Sequence, residues 1–135
     1  MKQRTLASVS VGEELPPLAI PLSTSLIVSA ALASRDFTPV HHDRSAAQAV
    51  GMPDVFMNIL TSNGLVGRYV TDWAGPDARI RGVKLRLGAP NHPGDTMTFG
   101  GRVAAKEGDE VSVEVVGRNR FGSHVTATVR VALPD

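Results

Sequence analysis

The 135-residue sequence contains no cysteine, which excludes disulfides, thiolate metal ligands and a cysteine nucleophile. It also lacks an excess of either charge, because 14 basic and 13 acidic side chains leave a formal net charge of +1. No strong attraction to nucleic acid or to an anionic membrane surface is therefore expected. Its apolar runs are all interrupted well before the ~18 residues that a membrane-spanning helix needs. The first eleven residues contain no apolar run of signal-peptide length, so we expect a cytoplasmic protein.

The length and composition are those of one globular domain. Hydrophobic residues make up 42% of the chain and charged residues 20%, which is typical of a chain that buries its own core. We find no repeat and no linker-like segment, and therefore expect a single domain over residues 1–135.

Turn residues and hydrophobic periodicity predict an α+β fold. Residues 55–73 form a long, strongly apolar helix candidate, and Asp43 is a plausible N-cap for a shorter helix before it. Gly- and Pro-containing turns separate four later β-rich runs, over residues 79–87, 96–105, 110–119 and 124–133. An earlier run, residues 15–22, is rich in proline and fits an edge strand. This order predicts an antiparallel sheet wrapped around one long buried helix.

The segment of residues 35–43 holds the most reactive combination of side chains. Asp36 and His41 flank Pro39, and a fully extended chain would separate them by about 16 Å. If the segment curls at Pro39, the carboxylate and the imidazole can hold one water between them and divide acid and base roles. A second interpretation is open on these residues alone. In it, Asp36 and Asp43 cap local turns, and the histidines are solvated.

The run Asp36-Phe37-Thr38-Pro39-Val40-His41 resembles the Asp-x-Asn-Pro-(Leu/Ile/Val)-His motif of MaoC-like (R)-specific enoyl-CoA hydratases. Thr38 stands where that motif has Asn, whereas both chemical residues and the proline match. The resemblance extends from about residue 21 to residue 131. It implies a hotdog fold, hydration of a trans-2-enoyl-CoA, and Asp36 and His41 as the catalytic pair.

The resemblance also implies an oxyanion hole at the start of the long helix. Its usual His-Gly pair corresponds here to Met57-Asn58 if one residue of offset is allowed. Because a helix N-terminus offers free N–H groups and a positive dipole end, the backbone amide of Asn58 suits an enolate-like thioester oxygen. The alternative is that Asn58 simply caps the helix.

A narrower resemblance involves several further segments. They are similar to small catalytic subunits of heteromeric enoyl-CoA hydratases that act on the steroid side chain in bacterial cholesterol degradation. The segments are residues 40–44, 58–61, 68–76 and 124–129, together with Asp36-Phe37. The resemblance implies a steroid substrate with a shortened side chain and a larger MaoC-like partner subunit in an α2β2 heterotetramer.

Three basic residues are candidates for binding the phosphates of coenzyme A. Lys84 and Arg86 fall on one face of a predicted strand, and Arg118 falls on another strand. A solvated sheet face explains each of them equally well. Coenzyme A is part of the substrate, so no separate cofactor is expected.

The other histidines and the acidic residues give no sign of a metal site. No His/Asp/Glu grouping has metal-ligand spacing. We expect His42 to be solvated or structural, His92 to lie at the surface, and His124 to be structural.

Three rival functions are compatible with a domain of this kind. The first is a homodimeric hydratase for ordinary fatty enoyl-CoA, and the second is a non-catalytic hotdog subunit that binds acyl-CoA. The Asp36/His41 pair argues against the second, since a purely structural subunit needs neither side chain. The third, a hotdog thioesterase, needs a carboxylate on the long helix, and residues 55–70 contain no Asp or Glu.

Overall fold

The computed structural model describes residues 2–135, within which three α-helices and five β-strands form. The helices are α1 (Thr24–Ala33), α2 (Arg44–Ala49) and α3 (Ile59–Ala74). The strands are β1 (Glu14–Pro21), β2 (Arg79–Leu87), β3 (Thr96–Glu107), β4 (Glu110–Asn119) and β5 (Gly122–Ala132). Single 3-10 turns cover Leu6–Ser8 and Pro39–His41. None of the helices in residues 2–135 is both long and apolar enough to cross a bilayer.

The strands form one antiparallel sheet in the order β1-β3-β4-β5-β2. Gly108, at φ +61°, supplies the left-handed residue of the tight β3–β4 turn. β1 lies at an edge, as predicted, and its register shifts between Leu15 and Leu18. The two residues at this irregularity are Pro16 and Pro17, which cannot donate to a ladder and are tolerated at a sheet edge.

The core lies between the inner face of the sheet and α3. Alternate residues of β4, namely Val111, Val113 and Val115, are at most 1% exposed. On α3, Val66 and Val70 are fully buried, and the ring of Tyr69 stacks on Phe99 with centroids 5.1 Å apart. A five-stranded antiparallel sheet packed around one helix is a hotdog arrangement, so the predicted α+β fold is confirmed.

α3 begins four residues later than predicted, at Ile59 rather than at residue 55. The Asn58 side chain accepts a hydrogen bond from the Thr61 N–H and so caps the helix. Before it, the N–H of Met57 donates to the carbonyl of Asn91, which holds the backbone outside helical geometry. α3 is also not buried all round, because Ile59 and Leu60 are about half exposed.

The two short helices fix the ends of the segment that carries the predicted catalytic pair. α1 is capped by Ser23, whose hydroxyl accepts from the Leu26 N–H, and α2 is capped by Asp43, whose carboxylate accepts from the N–H groups of Ser45 and Ala46. The Asp43 cap agrees with the sequence prediction. The intervening residues 34–43 are therefore held at both ends and lie beside the N-terminus of α3, where Asn58 contacts Asp36.

Candidate active site

Asp36 is placed by the way in which α1 ends. The N–H of Arg35 donates to the Leu32 carbonyl, and the N–H of Asp36 donates to the Ala31 carbonyl at 2.9 Å. This pair of bonds is the Schellman pattern of helix termination, which needs a left-handed residue. Arg35 takes that role at φ +57°, where glycine is more usual. The helix end thus sets the direction in which the Asp36 side chain leaves the backbone.

Both carboxylate oxygens of Asp36 accept hydrogen bonds. The Thr38 hydroxyl donates to Oδ1 at 2.7 Å, and the Thr38 N–H donates to the same oxygen at 3.3 Å. The side-chain amide of Asn58 donates to Oδ2 at 3.1 Å. The Thr38 hydroxyl and then the Asn58 amide hold the pKa of Asp36 below its ordinary value, because they stabilise the charged form. Asp36 is therefore a carboxylate at neutral pH.

Thr38 supplies a bond to Asp36 where the related motif has Asn, so Thr38→Val is expected to change the pH profile. Valine keeps the shape and removes the hydroxyl, which is the largest cause of the lowered pKa of Asp36. That pKa should rise, and the acid limb of kcat/KM should move to higher pH because the carboxylate form is then lost earlier. The rate at neutral pH should fall roughly tenfold. The matched variant Thr38→Ser retains the hydroxyl and should keep the original profile, whereas an unchanged profile in Thr38→Val would contradict this role.

His41 faces the same carboxylate through a defined ring nitrogen. Its Nδ1 lies 2.7 Å from the Phe56 carbonyl oxygen, and because a carbonyl only accepts, Nδ1 carries the proton. In the neutral ring Nε2 then has a free lone pair, and it lies 3.3 Å from Asp36 Oδ2. The ring packs edge-on against Phe56, with centroids 5.0 Å apart, and the residue is only 8% exposed. The imidazole is therefore fixed in both orientation and tautomer.

The pair brings two proton acceptors to one point at the N-terminus of a helix. Asp36 Oδ2 and His41 Nε2 can share one water molecule by accepting its two hydrogens. A carboxylate and an imidazole beside the positive end of a helix dipole suit the activation of water and the stabilisation of developing negative charge. The curl at residues 38–41, predicted from Pro39, is present as a 3-10 turn.

Asn58 occupies the cap position at the start of α3. Its backbone N–H donates to no acceptor in residues 2–135, which leaves this donor open next to the pair. Its role as an oxyanion donor stays a prediction. Sequence reasoning missed its side chain, which donates to both Asp36 Oδ2 and Ser34 Oγ.

The three predicted coenzyme A contacts lie away from this pair. Lys84 and Arg86 pair with the exposed Thr128 and Thr126. Val83 and Leu85, which alternate with them along β2, pack against the core instead. Arg118 is also exposed. All three lie on the outer face of the sheet, on the side away from α3. Within one chain they are therefore not part of the same site as Asp36 and His41. Their contact with coenzyme A remains a prediction.

The remaining histidines differ in their surroundings. His42 is exposed, as expected. The prediction for His92 was wrong: it is 8% exposed, and its Nδ1 donates to the Val55 carbonyl at 3.0 Å, which helps to hold the segment leading into α3. His124 is structural, because it is buried and its Nδ1 donates to the Ala89 carbonyl. Burial lowers the pKa of His124, so the ring is neutral and its Nε2 accepts from the Ser62 hydroxyl at 2.7 Å.

Across residues 2–135, no three or more His, Asp or Glu side chains are grouped so that they could hold a metal ion.

The sequence is similar to a known protein family and to a named hydratase subunit. The family described as MaoC like domain matches residues 8–129. The 3-oxo-4,17-pregnadiene-20-carboxyl-CoA hydratase beta subunit of Mycobacterium tuberculosis is 54% identical over 125 residues, which cover 93% of this chain and 97% of that subunit.

Two solved structures are also similar to this chain. A chain in the crystal structure of the ChsH1-ChsH2 complex from Mycobacterium tuberculosis has a TM-score of 0.91 and 54% identity, covering 92% of this chain and 98% of that one. The (R)-hydratase PhaJ1 from Pseudomonas aeruginosa has a TM-score of 0.87 at 21% identity, covering 96% of this chain and 84% of that one, and shares the fold.

Proposed function

This chain belongs to the MaoC-like domain family, and we propose that it is the catalytic subunit of a heteromeric enoyl-CoA hydratase acting on a steroid with a shortened side chain. The observation that carries the proposal is the Asp36–His41 pair, with Oδ2 and Nε2 3.3 Å apart at the N-terminus of α3. Two such groups have no purpose in a subunit that only binds or shapes a pocket. The 54% identity to a steroid carboxyl-CoA hydratase beta subunit supports the substrate class.

The reaction adds water across the double bond conjugated to the thioester. The water oxygen forms a bond to the β-carbon while the pair takes a proton from it, and the π electrons move to the thioester oxygen. The pair then returns one proton to the α-carbon, so Asp36 and His41 end in their original states. The backbone amide of Asn58 supports the negative charge on the thioester oxygen between these steps.

The substrate that this proposal implies has a ring carbon as its β-carbon. The name of the related subunit refers to a 17-ene and a 20-carboxyl-CoA, and by steroid numbering position 17 is a ring carbon. Hydration at such a carbon gives a tertiary alcohol. A rigid polycyclic group needs a wide pocket next to the catalytic pair, and pocket shape then sets specificity.

The partner is a larger MaoC-like subunit, and we infer an α2β2 assembly. The support is the similarity to a chain of the ChsH1-ChsH2 complex. Several large apolar side chains around the pair are also at least 45% exposed, and such patches often mark interfaces or ligand sites. They are Leu32, Phe37, Ile59 and Leu60. Because α3 is intact in this chain, the extra room for a steroid is proposed to come from the partner.

The test is to co-express this chain with a larger MaoC-like subunit and to measure two properties. Light scattering should give the mass of a heterotetramer, and loss of the enoyl-thioester absorbance should show higher kcat/KM on a steroid enoyl-CoA than on a linear one. Exchange of the large subunit for one with another preference should change the preferred substrate. A homodimer that prefers linear enoyl-CoA would instead identify a fatty enoyl-CoA hydratase.

A further inference from the structure

The side chain of Asn58 connects three parts of the site. Its Nδ2 donates to Asp36 Oδ2 at 3.1 Å and to Ser34 Oγ at 3.0 Å. Its Oδ1 accepts from the Thr61 N–H at 3.1 Å and from the Thr61 hydroxyl. The residue is only 2% exposed. Both amide hydrogens and both lone pairs of Oδ1 are therefore used, so the orientation of the amide is determined by its partners.

Asn58, the N-cap of α3, is the partner of Asp36 that comes from the start of the central helix. The two donors on Oδ1 both belong to Thr38, which lies in the same loop as Asp36 and moves with it. The bond from Asn58 instead ties Oδ2, the oxygen that faces His41 Nε2, to the start of the central helix. Without it, rotation about the bond between Cβ and the carboxyl carbon could turn Oδ2 away from the imidazole.

We propose that the side-chain amide of Asn58 is a positioning residue, which holds the Asp36 carboxylate in register with His41 and with the N-terminus of α3. The proposal rests on the hydratase function and goes beyond the backbone role predicted for Asn58. Asn58 then has two roles. Its backbone N–H lies at the start of α3, and its side chain holds the Asp36 carboxylate next to that N–H.

The helix cap and the contact with Asp36 can be separated by substitution. Asn58→Ser and Asn58→Asp both keep an oxygen that can cap α3 through the Thr61 N–H. Serine is too short to reach Asp36, and aspartate replaces the donating N–H with a second negative oxygen. Asn58→Ala loses both the cap and the contact. The control is Ser23→Ala, which removes the cap of α1 at the end of that helix away from Asp36.

The first readout is kcat and its pH profile in the complex with the larger subunit. Asn58→Ser should lower kcat roughly tenfold to a hundredfold with a smaller change in KM, because a hydrogen bond to a charged group is lost. The acid limb should move to higher pH, and further in Asn58→Asp, where a like charge opposes ionisation of Asp36. Ser23→Ala should melt earlier and keep both kcat and the profile.

The second readout does not need turnover. Carbon-13 NMR titration of Asp36 in the complex should give a higher pKa in Asn58→Ser than in the unsubstituted protein, and higher again in Asn58→Asp. A wild-type complex that fails to hydrate steroid enoyl-CoA would overturn the proposed function while leaving this titration interpretable. The positioning role is overturned if Asn58→Ser keeps kcat, the pH profile and the Asp36 pKa, and only Asn58→Ala is impaired, since Asn58 would then act only as a helix cap.

Discussion

Asp36→Asn is expected to lower kcat/KM for hydration by about a thousandfold, in the range of ~10²–10⁴ that general acid–base groups contribute. The amide has nearly the same shape as the carboxylate and keeps an oxygen for the two donors of Thr38. It cannot take a proton from water, so the pair loses one of its two acceptors. Steady-state kinetics on the steroid enoyl-CoA in the heteromeric complex measures the effect.

The fold should tolerate this change. The Asp36 side chain is 22% exposed and lies in a loop, so we expect only a small loss in the free energy of unfolding. The matched control is Asp43→Asn in the same segment, where Asn is an equally good helix cap for α2. Asp43→Asn should keep its activity. Near-normal turnover by Asp36→Asn would disprove the catalytic assignment.

His41→Ala should lower kcat/KM by a similar factor of ~10²–10⁴, because Nε2 is the other proton acceptor. Its effect on stability should be larger than that of Asp36→Asn. His41 is nearly buried, and its Nδ1–H satisfies the Phe56 carbonyl, which would lose its partner. We therefore expect a loss of about 1–3 kcal/mol in the free energy of unfolding, measured by denaturant titration.

A second substitution separates the two effects of His41. The side-chain N–H of asparagine can replace Nδ1–H as a donor to the Phe56 carbonyl, but asparagine has no group at the position of Nε2. His41→Asn should therefore recover part of the stability and none of the activity. The neighbouring His42 is exposed, so His42→Ala is the control and should leave both quantities unchanged. If His42→Ala were the damaging change, the wrong histidine would have been assigned.

Local signals in the sequence were sufficient for most of the fold. The strand Glu110–Asn119 was predicted with its observed bounds, and Ser23 and Asp43 cap the helices that follow them. In each case the determining interaction spans only a few residues or follows from alternation along one strand. The segment containing Asp36, Pro39 and His41 was also identified directly, because its residue types and spacing match a motif.

Two predictions were wrong at positions that are fixed by contacts between residues distant in sequence. His92 was expected at the surface because it lies in a turn that contains Pro93 and Gly94. Its ring instead donates to the carbonyl of Val55, 37 residues away in sequence. The start of α3 was predicted too early because the apolar pattern continues upstream of Asn58, whereas the contact between Met57 and Asn91 keeps that stretch out of the helix.

The sequence by itself determined the fold class and the two residues of the candidate pair, because periodicity, capping and a local motif are properties of neighbouring residues. Only the tertiary structure decided which partners hold that pair. Asn58 lies 22 residues from Asp36 and Phe56 lies 15 from His41, and both reach the loop because α3 packs inside the sheet. Tertiary packing also placed Lys84 and Arg86 on the outer face of the sheet. Such contacts depend on how separate elements pack, and no local pattern encodes them.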